Sequence, residues 1–402
     1  MSLDLSKLAK ELSASSSEIL KSHLDTSQVI HSLISIAENI EYAASIISTG
    51  YSNTRPYLKA EVVEQLLTKY PLPSMPSSWN VVSVDGSHID IDRHLPVPCS
   101  LINMGVCKLT YGETPLSELY NEPTLKINER DLCITNPANN NDVELLTGQL
   151  LSLERAIIEI GTLKEAVTDI KNNLPTLALV DGSLILWGLS GQAYKTYVRE
   201  HFIEHGLLHH MDGIKKNADD FPLSLAAYIS FPRTTEVINS IRASICEKSS
   251  DYCGDHCNSR RTNETPCSLA NNLLDRDLFE IYLSAGERSP VYRSQSSIPH
   301  LYYGQHQIYF FYINTGQEIG RVEIPKWVAE NPQLLNLSHS LIFDQCKRGQ
   351  GYPVAISESH EQAVLNGKDR ELFKNLVLQF MQRPGIRALT SQKERSKRSP
   401  WL

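Results

Sequence analysis

The chain has 402 residues, of which 41% are hydrophobic and 21% are charged, so it can bury a sizeable core and is not a disordered chain. Its formal net charge of −8 at pH 7 excludes an overall electrostatic attraction to nucleic acid, so any such binding needs a local basic surface. The N-terminus lacks the pattern of a secretory signal, and no apolar run is long enough for a membrane helix. We therefore expect a soluble, cytoplasmic protein that does not associate with membranes.

Residues 1–75 are predicted to form a helical N-terminal segment. The stretch VIHSLISIAENIEYAASII places apolar residues three or four positions apart, and PYLKAEVVEQLLTKY does the same. The proline-rich PLPSMPSS that follows predicts a loop. The apolar face of the segment predicts packing against its own domain, against a second copy of the chain, or against another protein.

A region of strands follows this loop. NVVSVDGS is rich in β-branched residues, SHIDIDRH alternates apolar and polar residues, and CSLINMGVCKLTYGE and PTLKINERDL continue the pattern. A long helix is predicted over residues 143–172, and TLALVDGS then predicts a strand that is buried on both faces. Three strands, a helix, a central strand and a further helix are the order of a ribonuclease-H-like fold. The predicted fold class is therefore α/β, with a mixed sheet flanked by helices.

Strands and helices also alternate in the C-terminal half. QIYFFYINTGQEIGRVEIPKWV predicts a hairpin that turns at Asn314–Gly316, and YPVAISESHEQAVLNGKDRELFKNLVLQFM predicts a helix. We divide the chain into the helical segment, a main domain over residues 76–385 and a basic tail over residues 386–402. A small cysteine-rich insert interrupts the main domain at residues 246–267.

The tetrapeptide Val-Asp-Gly-Ser occurs twice, each time at the predicted end of an apolar strand, and it contains Asp85 and Asp181. A buried carboxylate is costly, so we expect these side chains at strand ends that solvent or a metal ion can reach. The glycine that follows allows a sharp turn and a close approach to a ligand. One such motif is often only a turn. Two copies, separated by the elements that would bring them together, favour a shared metal site.

The helix between the two motifs should supply a third carboxylate. Glu159 lies among small and apolar side chains, so we favour it and keep Glu154 as the alternative; Glu159 could instead pair with Arg155 on the surface. His360 is predicted to face inward, as a core histidine or as a further metal ligand. Such a set of oxygen ligands and one imidazole suits Mn²⁺ or Mg²⁺, and two ions about 4 Å apart could act on a phosphodiester.

These residues resemble the NurA nuclease family. The resemblance rests on the first VDGS, the acidic helix that leads into LALVDGSL, and the closing QCKRGQGYPVAISESHEQAVLNGKDRELF, and it covers about residues 78–380. It implies a ribonuclease-H-like core, Mn²⁺-dependent 5′-to-3′ DNA nuclease activity, a homodimer, and partnership with the hexameric translocase HerA in DNA end processing. Carried onto this chain, the metal-binding positions of the family would be Asp85, Asp181, a glutamate of the helix and His360.

Basic and aromatic residues are interleaved in three further segments, which favours a local path for DNA. The candidates for phosphate contacts are Arg233, Arg242, Arg288, Arg293, Arg321 and Lys326, and the candidates for stacking on an unpaired base are Tyr228 and Tyr292. Each of these side chains, taken alone, is equally consistent with an ordinary solvated residue on the protein surface.

Four cysteines lie close together in a polar loop: Cys246, Cys253, Cys257 and Cys267. Their spacing matches no standard zinc knuckle, but clustered thiols in a reduced compartment favour metal ligation over disulfides. We predict structural Zn²⁺, with an iron–sulfur cluster or no metal as alternatives. His256 could replace one cysteine. Because the cluster is not a general feature of the family, it would mark a bacterial branch.

Two other classes of function compete with a metal-dependent deoxyribonuclease. One is a non-catalytic adaptor that binds a DNA translocase through its helical N-terminus; the presence of all three acids disfavours it. The other is an actin-like ATPase, whose sheet also carries Asp-Gly turns; the chain lacks a glycine-rich phosphate loop. The sequence therefore favours the nuclease, with exonuclease activity and an optional endonuclease activity on single strands.

Overall fold

The computed structural model describes residues 4–39, 57–91, 97–190, 194–245 and 266–381, together with Leu95. The strands are β1 (Ala60–Val62), β2 (Trp79–Ile89), β3 (Ser100–Tyr111), β4 (Leu116–Lys126), β5 (Cys133–Asn136), β6 (Asn139–Leu145), β7 (Thr176–Asp181), β8 (Leu223–Ile229), β9 (Tyr292–Ser294), β10 (Ile308–Asn314) and β11 (Ile319–Pro325). The α-helices are α1 (Leu5–Asn39), α2 (Glu129–Leu132), α3 (Gln149–Thr168), α4 (Thr196–Phe202), α5 (His209–Asn217), α6 (Glu236–Ile245), α7 (Asp275–Tyr282), α8 (Ser297–Tyr302), α9 (Lys326–Ala329), α10 (Pro332–Arg348), α11 (Val354–Ala363) and α12 (Gly367–Met381). Within these ranges, no helix combines the length and the apolar character that a membrane span requires.

The chain divides into two units that are not continuous in sequence. The first unit comprises Met1–Leu72, Ile229–Ser297 and Tyr309–Val322, and the remainder of the chain belongs to the second. The sequence suggests linear boundaries instead, because its composition does not show which distant segments share a core.

In the first unit the strands follow the order β1-β9-β10-β11, and β1 and β10 both run antiparallel to β9. The predicted hairpin at Asn314–Gly316 is confirmed, and Gly316 adopts the left-handed φ of 88° that the turn needs. The helix predicted for PYLKAEVVEQLLTKY is wrong, because residues 57–72 contain β1 and no helix. Pairing with β9 and burial of Ala60 and Val62 outweigh the helical periodicity there.

The N-terminal helix α1 buries part of its apolar face within the first unit. Ile30, Leu33 and Ala37 lie in the same hydrophobic core as α6 and α7, whereas Leu5 and Leu12 are exposed. Of the three possible packing partners, its own unit therefore covers the C-terminal half of the helix. The predicted continuation beyond Asn39 lies outside the described residues.

In the second unit the strand order is β8-β7-β2-β3-β4. The strands β2, β7 and β8 are parallel to one another, whereas β3 runs antiparallel to both β2 and β4. This is the mixed α/β architecture that the sequence predicts. The predicted long helix is shorter than expected: α3 begins at Gln149, because residues 139–145 pair with β5 as strand β6.

Helices α3 and α11 cover opposite faces of this sheet. Side chains alternate along β2, so Val82 and Val84 pack in the core with α3, whereas Ser83 faces Ser359 of α11 across 3.2 Å. Gly105 of β3 allows the close approach of α11, because a Cβ there would lie 2.2 Å from the Ser359 carbonyl oxygen. Both helices are therefore held directly against the strand that carries the first VDGS.

Candidate acidic active site

The aspartates of the two VDGS motifs lie on neighbouring parallel strands. Val84 and Val180 form the last pair of the β2–β7 ladder, so Asp85 and Asp181 are the next residues on the two strands. Residues in register share one face of a sheet. The repetition of the motif thus brings two carboxylates to the same level at the end of the parallel pairing.

The expectation that both motifs end a strand is wrong for the first one. β2 continues through it to Ile89, because β3 pairs with β2 as far as Ile89 and Leu101. Only the parallel partner, β7, ends at Asp181. The Asp85 side chain is accordingly the more enclosed, with 16% of its surface exposed, whereas Asp181 is an exposed residue.

His360 reaches Asp85 from helix α11. Its Nδ1 lies 2.7 Å from Asp85 Oδ2, while Asp85 Oδ1 accepts a hydrogen bond of 2.7 Å from the Gly86 backbone. The helix is fixed here because the Ser87 hydroxyl donates to the Ala363 carbonyl. The prediction that His360 faces inward is wrong, since 57% of its side chain is exposed, although the ring does contact Asp85.

Tyr352 is a site residue that the sequence reasoning missed. Its hydroxyl donates a hydrogen bond of 2.8 Å to Asp181 Oδ1, and its ring packs edge-on against Tyr228 with centroids 5.8 Å apart. It lies two residues before the first turn of α11. The available signal was its place in the Gly-Tyr-Pro stretch that leads into the helix of His360.

Glu159 approaches the aspartates from helix α3 on the other face of the sheet. Its side chain is only 11% exposed, and Arg155 Nε lies 3.1 Å from its Oε1. Burial, reinforced by the negative charges of Asp85 and Asp181 and opposed by Arg155, raises the pKa of Glu159 to about 8. The Arg155 pair that was the competing hypothesis is therefore present, but it is a largely enclosed pair beside the aspartates.

Gly86 makes room for this glutamate. A Cβ at Gly86 would lie 2.6 Å from Glu159 Oε1 and 2.5 Å from the terminal methyl carbon of Met104, closer than real side chains approach. The first motif thus needs its glycine so that a carboxylate can pass close to the backbone of β2.

Glu154, the alternative candidate, is directed elsewhere. Its side chain lies 2.6 Å from Lys126 Nζ and 3.0 Å from His201 Nε2. Burial alone would raise its pKa, but the hydrogen bonds and charges of these two partners outweigh burial and hold the pKa at about 2. The structure therefore groups Glu159, and not Glu154, with the aspartates.

The negative charges of the site are only partly compensated. Desolvation is the main cause that raises the pKa of Asp181; the Asp85 charge adds to it, and the Tyr352 hydrogen bond and the His360 charge oppose it. Arg155 Nε lies 3.1 Å from the buried Glu159 Oε1 without the geometry of a hydrogen bond. Carboxylates held together with so little positive charge favour either a proton or a cation.

These donors fit a hard divalent cation, although they are not yet arranged as ligands. Among the residues that the structure describes, no three histidine, cysteine, aspartate or glutamate side chains already have the spacing of a metal site. Carboxylate oxygens with one imidazole are nonetheless the set that Mn²⁺ accepts, and an ion would compensate the crowded charges of Asp85, Asp181 and Glu159.

Several residues predicted to contact DNA are buried, so these predictions are wrong. Tyr228 and Tyr292 are fully buried, Arg321 is buried against Glu236 at 2.7 Å, and Arg288 is buried against the Tyr70 ring at 4.0 Å. These side chains cannot contact DNA at the surface, because tertiary packing turns them into the core of their units.

The remaining basic candidates have protein neighbours or lie at the surface. Arg293 pairs with Glu61, Arg242 lies over the Tyr57 ring, and Lys326 lies 3.6 Å from a carboxylate oxygen of Glu330. Arg233 is exposed. Of the arginines proposed from the sequence, Arg233 thus stays the most accessible candidate for a phosphate contact.

The cysteine cluster falls almost entirely outside the described residues. Cys246, Cys253 and Cys257, as well as His256, lie there, and Cys267 is buried in a short 3₁₀ turn at Pro266–Ala270. The Zn²⁺ or iron–sulfur site therefore stays a prediction.

The fold and the site together define a class of protein: an α/β protein with an acidic site where the parallel pairing of β2 and β7 ends. The model of the NurA domain matches residues 80–365, a range that includes Asp85, Glu159, Asp181 and His360. The chain belongs to the NurA family.

The solved structures similar to this chain are distant from it in sequence. The NurA nuclease from Sulfolobus solfataricus is 11% identical, with a TM-score of 0.42 over 93% of this chain and 99% of that one. A structure of NurA with manganese is 11% identical, with a TM-score of 0.32 over 92% and 99% of the two chains. Aquifex aeolicus Argonaute is 11% identical, with a TM-score of 0.25 over 78% of this chain and 29% of that one. No curated protein matches the chain. The family assignment accordingly rests on the domain match.

Proposed function

We propose that this chain is a metal-dependent deoxyribonuclease whose Mn²⁺ or Mg²⁺ would be held by Asp85, Glu159, Asp181 and His360. The observation that carries the proposal is the position of Asp85 and Asp181 directly after the last β2–β7 pair, with the buried Glu159 beside them. The strand order β4-β3-β2-β7-β8, with β3 reversed, supports a ribonuclease-H-like core.

Bound divalent ions would supply an activated water and compensate the charge of the scissile phosphate. The side chains of the chain prepare the site for this task. Tyr352 orients the Asp181 carboxylate, and His360 orients Asp85 through its Nδ1. Arg155 holds Glu159 on the opposite side.

The finer assignments follow from the family resemblance. We propose 5′-to-3′ exonuclease activity, with cleavage of single strands as an option, in DNA end processing and double-strand break repair. A homodimer working in the cytoplasm with a HerA-like hexameric translocase is part of the same proposal. The exposed Leu5, Leu8 and Leu12 of α1 support a role of this helix in assembly.

The test is cleavage of labelled single- and double-stranded DNA with Mn²⁺, with Mg²⁺ or with EDTA. We expect metal-dependent cleavage, lowered by about 100-fold or more in Asp85→Asn and in Asp181→Asn, since even the partners that orient metal ligands typically change activity by about 10- to 100-fold. Glu165→Gln is the matched control, because Glu165 is exposed on the same helix as Glu159 and should keep full activity. Equal cleavage by the aspartate variants and the wild type would refute the proposal.

A further inference from the structure

An exposed tryptophan follows the second VDGS. Trp187 begins the short 3₁₀ turn Trp187–Leu189, and 41% of its surface is exposed. Leu184, Leu186 and Leu189 around it are buried. Between Gly182 and Leu189 the indole is the exposed side chain, so the apolar surface here is about one ring wide. That area is far below the ~800 Å² per partner of a standard protein–protein interface.

The indole is anchored through a buried carboxylate. Trp187 Nε1 donates a hydrogen bond of 3.1 Å to Ser183 Oγ, and the Ser183 hydroxyl donates one of 2.7 Å to Glu323 Oε2. The backbone N–H of Leu184 donates to the same Glu323 oxygen at 3.0 Å. Glu323 is buried, so this chain of hydrogen bonds fixes the ring against the body of the unit.

Two further contacts fix the backbone on either side of the ring. The Leu186 N–H donates to the Tyr303 hydroxyl at 3.0 Å, and the Gln149 side-chain amide donates to the Gly188 carbonyl at 2.9 Å. The face of the indole therefore meets solvent in a defined orientation, with little rotational freedom to lose when a ligand binds.

The ring also lies close to the acidic site. Only Gly182 separates Asp181 from Ser183, so the Cα atoms of these two residues are at most roughly 7 Å apart. The indole nitrogen is in direct contact with Ser183. A nucleotide strand whose phosphate reaches Asp181 would therefore pass within reach of the exposed ring.

We propose that Trp187 is the stacking platform for an unpaired base of the DNA strand that enters the acidic site. The inference rests on the proposed action on DNA. A flat, rigid, solvent-facing indole can stack on any base. The phosphates, in contrast, would be bound through charged groups. Trp187 takes the role that the sequence assigned to the buried Tyr228. It would favour single strands and frayed ends, because a base inside a duplex presents no free face.

The experiment measures binding without cleavage. Oligothymidylate of about twelve nucleotides, a length within the range that single-strand sites cover, is titrated in EDTA. Trp187→Ala should raise the Kd about tenfold, since one stacked base contributes on that scale, whereas Trp187→Phe should retain most of the affinity. On an abasic strand of the same length, which keeps the phosphates and lacks the bases, wild type and Trp187→Ala should bind alike.

A matched control and a second readout keep the test decisive. Phe231→Ala removes another exposed aromatic ring, which Arg276 covers at 3.6 Å, and should leave the Kd unchanged. Oligothymidylate should quench the tryptophan fluorescence of the wild type and quench Trp187→Phe far less, which serves even if the alanine variant does not fold. Equal Kd values for wild type and Trp187→Ala, or a change in oligomeric state alone, would overturn the inference. Base-dependent binding without any cleavage would overturn the nuclease and leave the platform standing.

Discussion

Gly86 and Gly182 occupy the same place in two identical tetrapeptides, but different physical constraints act on them. Gly86 is an extended residue inside β2, and a Cβ there would collide with Met104 and Glu159. Gly182 adopts a φ of 84° just after β7, and a Cβ there would meet no atom within 4 Å. The first glycine is required by packing and the second by backbone conformation.

The serines of the two motifs differ in the same way. Ser87 donates to the Ala363 carbonyl and holds helix α11 against the sheet. Ser183 bonds to Glu323 and Trp187 and shapes the turn that leaves the sheet. The comparison teaches that one motif builds the interior side of the site and the other its solvent side, although both supply one aspartate.

The largest difference between the two motifs should appear when the stability of the metal-free protein is measured against pH, because Glu159 packs against the first motif only. In the folded protein the pKa of Glu159 is about 8, against an ordinary value of 4.5. This acid destabilises the fold only when it is ionised, so the loss is absent below pH 4.5 and grows as the pH rises toward 8. Relative to Glu159→Gln, the unfolding free energy of the wild type should fall by about 4 kcal/mol over that interval, since each pKa unit corresponds to ~1.4 kcal/mol.

Glu154→Gln is the matched control, with the opposite sign. The pKa of Glu154 is held at about 2, so its contribution is present above pH 4.5 and lost as the pH falls toward 2. Urea unfolding in EDTA at several pH values measures both variants. If the difference in unfolding free energy between wild type and Glu159→Gln did not change with pH, Glu159 would be hydrated and the first motif would not enclose it.

A second test exchanges the glycines. Gly86→Ala forces a methyl group into Met104 and Glu159, so it should lower the unfolding free energy by about 2 kcal/mol, within the ~1–3 kcal/mol typical of overpacking. It should also abolish cleavage by displacing Glu159. Gly182→Ala places alanine at positive φ, which costs about 1 kcal/mol, and should keep measurable cleavage because no atom is displaced.

Urea unfolding and the cleavage assay together check this pair. Equal effects of the two substitutions on activity would remove the distinction between a packing glycine and a turn glycine.

The smallest difference is expected from the serines. Ser183→Ala leaves Trp187 Nε1 and the Ile185 N–H without their acceptor and should cost about 1–2 kcal/mol. Ser87→Ala should cost about 0.5 kcal/mol, because Asn103 still donates to the Ala363 carbonyl at 2.8 Å. Thermal unfolding of both variants measures the order, and a larger loss for Ser87→Ala would contradict it.

The parts of the site that depend on local pattern were predictable from the sequence. The repeated VDGS after an apolar run grouped Asp85 with Asp181, and helical periodicity favoured Glu159 because it interrupts an apolar helix flank. Tyr352 was missed because it lies in a loop, where no periodicity shows that its hydroxyl reaches Asp181.

The failures lie where distant partners decide the environment. Arg321 looks like a surface charge in sequence, but Glu236 and the Phe310 ring, from other elements, enclose it. The strand β1 is three residues long, too short for a two-residue period to outweigh a helical one, and it exists through its pairing with β9. The mixed sheet of the second unit was predictable because its strands are longer.

The position of α11 has a consequence for the synthesis of the protein. This helix presents His360 to Asp85, and the residues just before it bring Tyr352 to Asp181. Every other component of the acidic site lies at least 170 positions earlier in the chain, as the 171-residue separation of Tyr352 and Asp181 shows. A growing chain can thus complete its strands β2, β3 and β7 on the ribosome long before the site is closed. The acidic site is therefore complete only after the chain has been translated through Ala363 and α11 has docked.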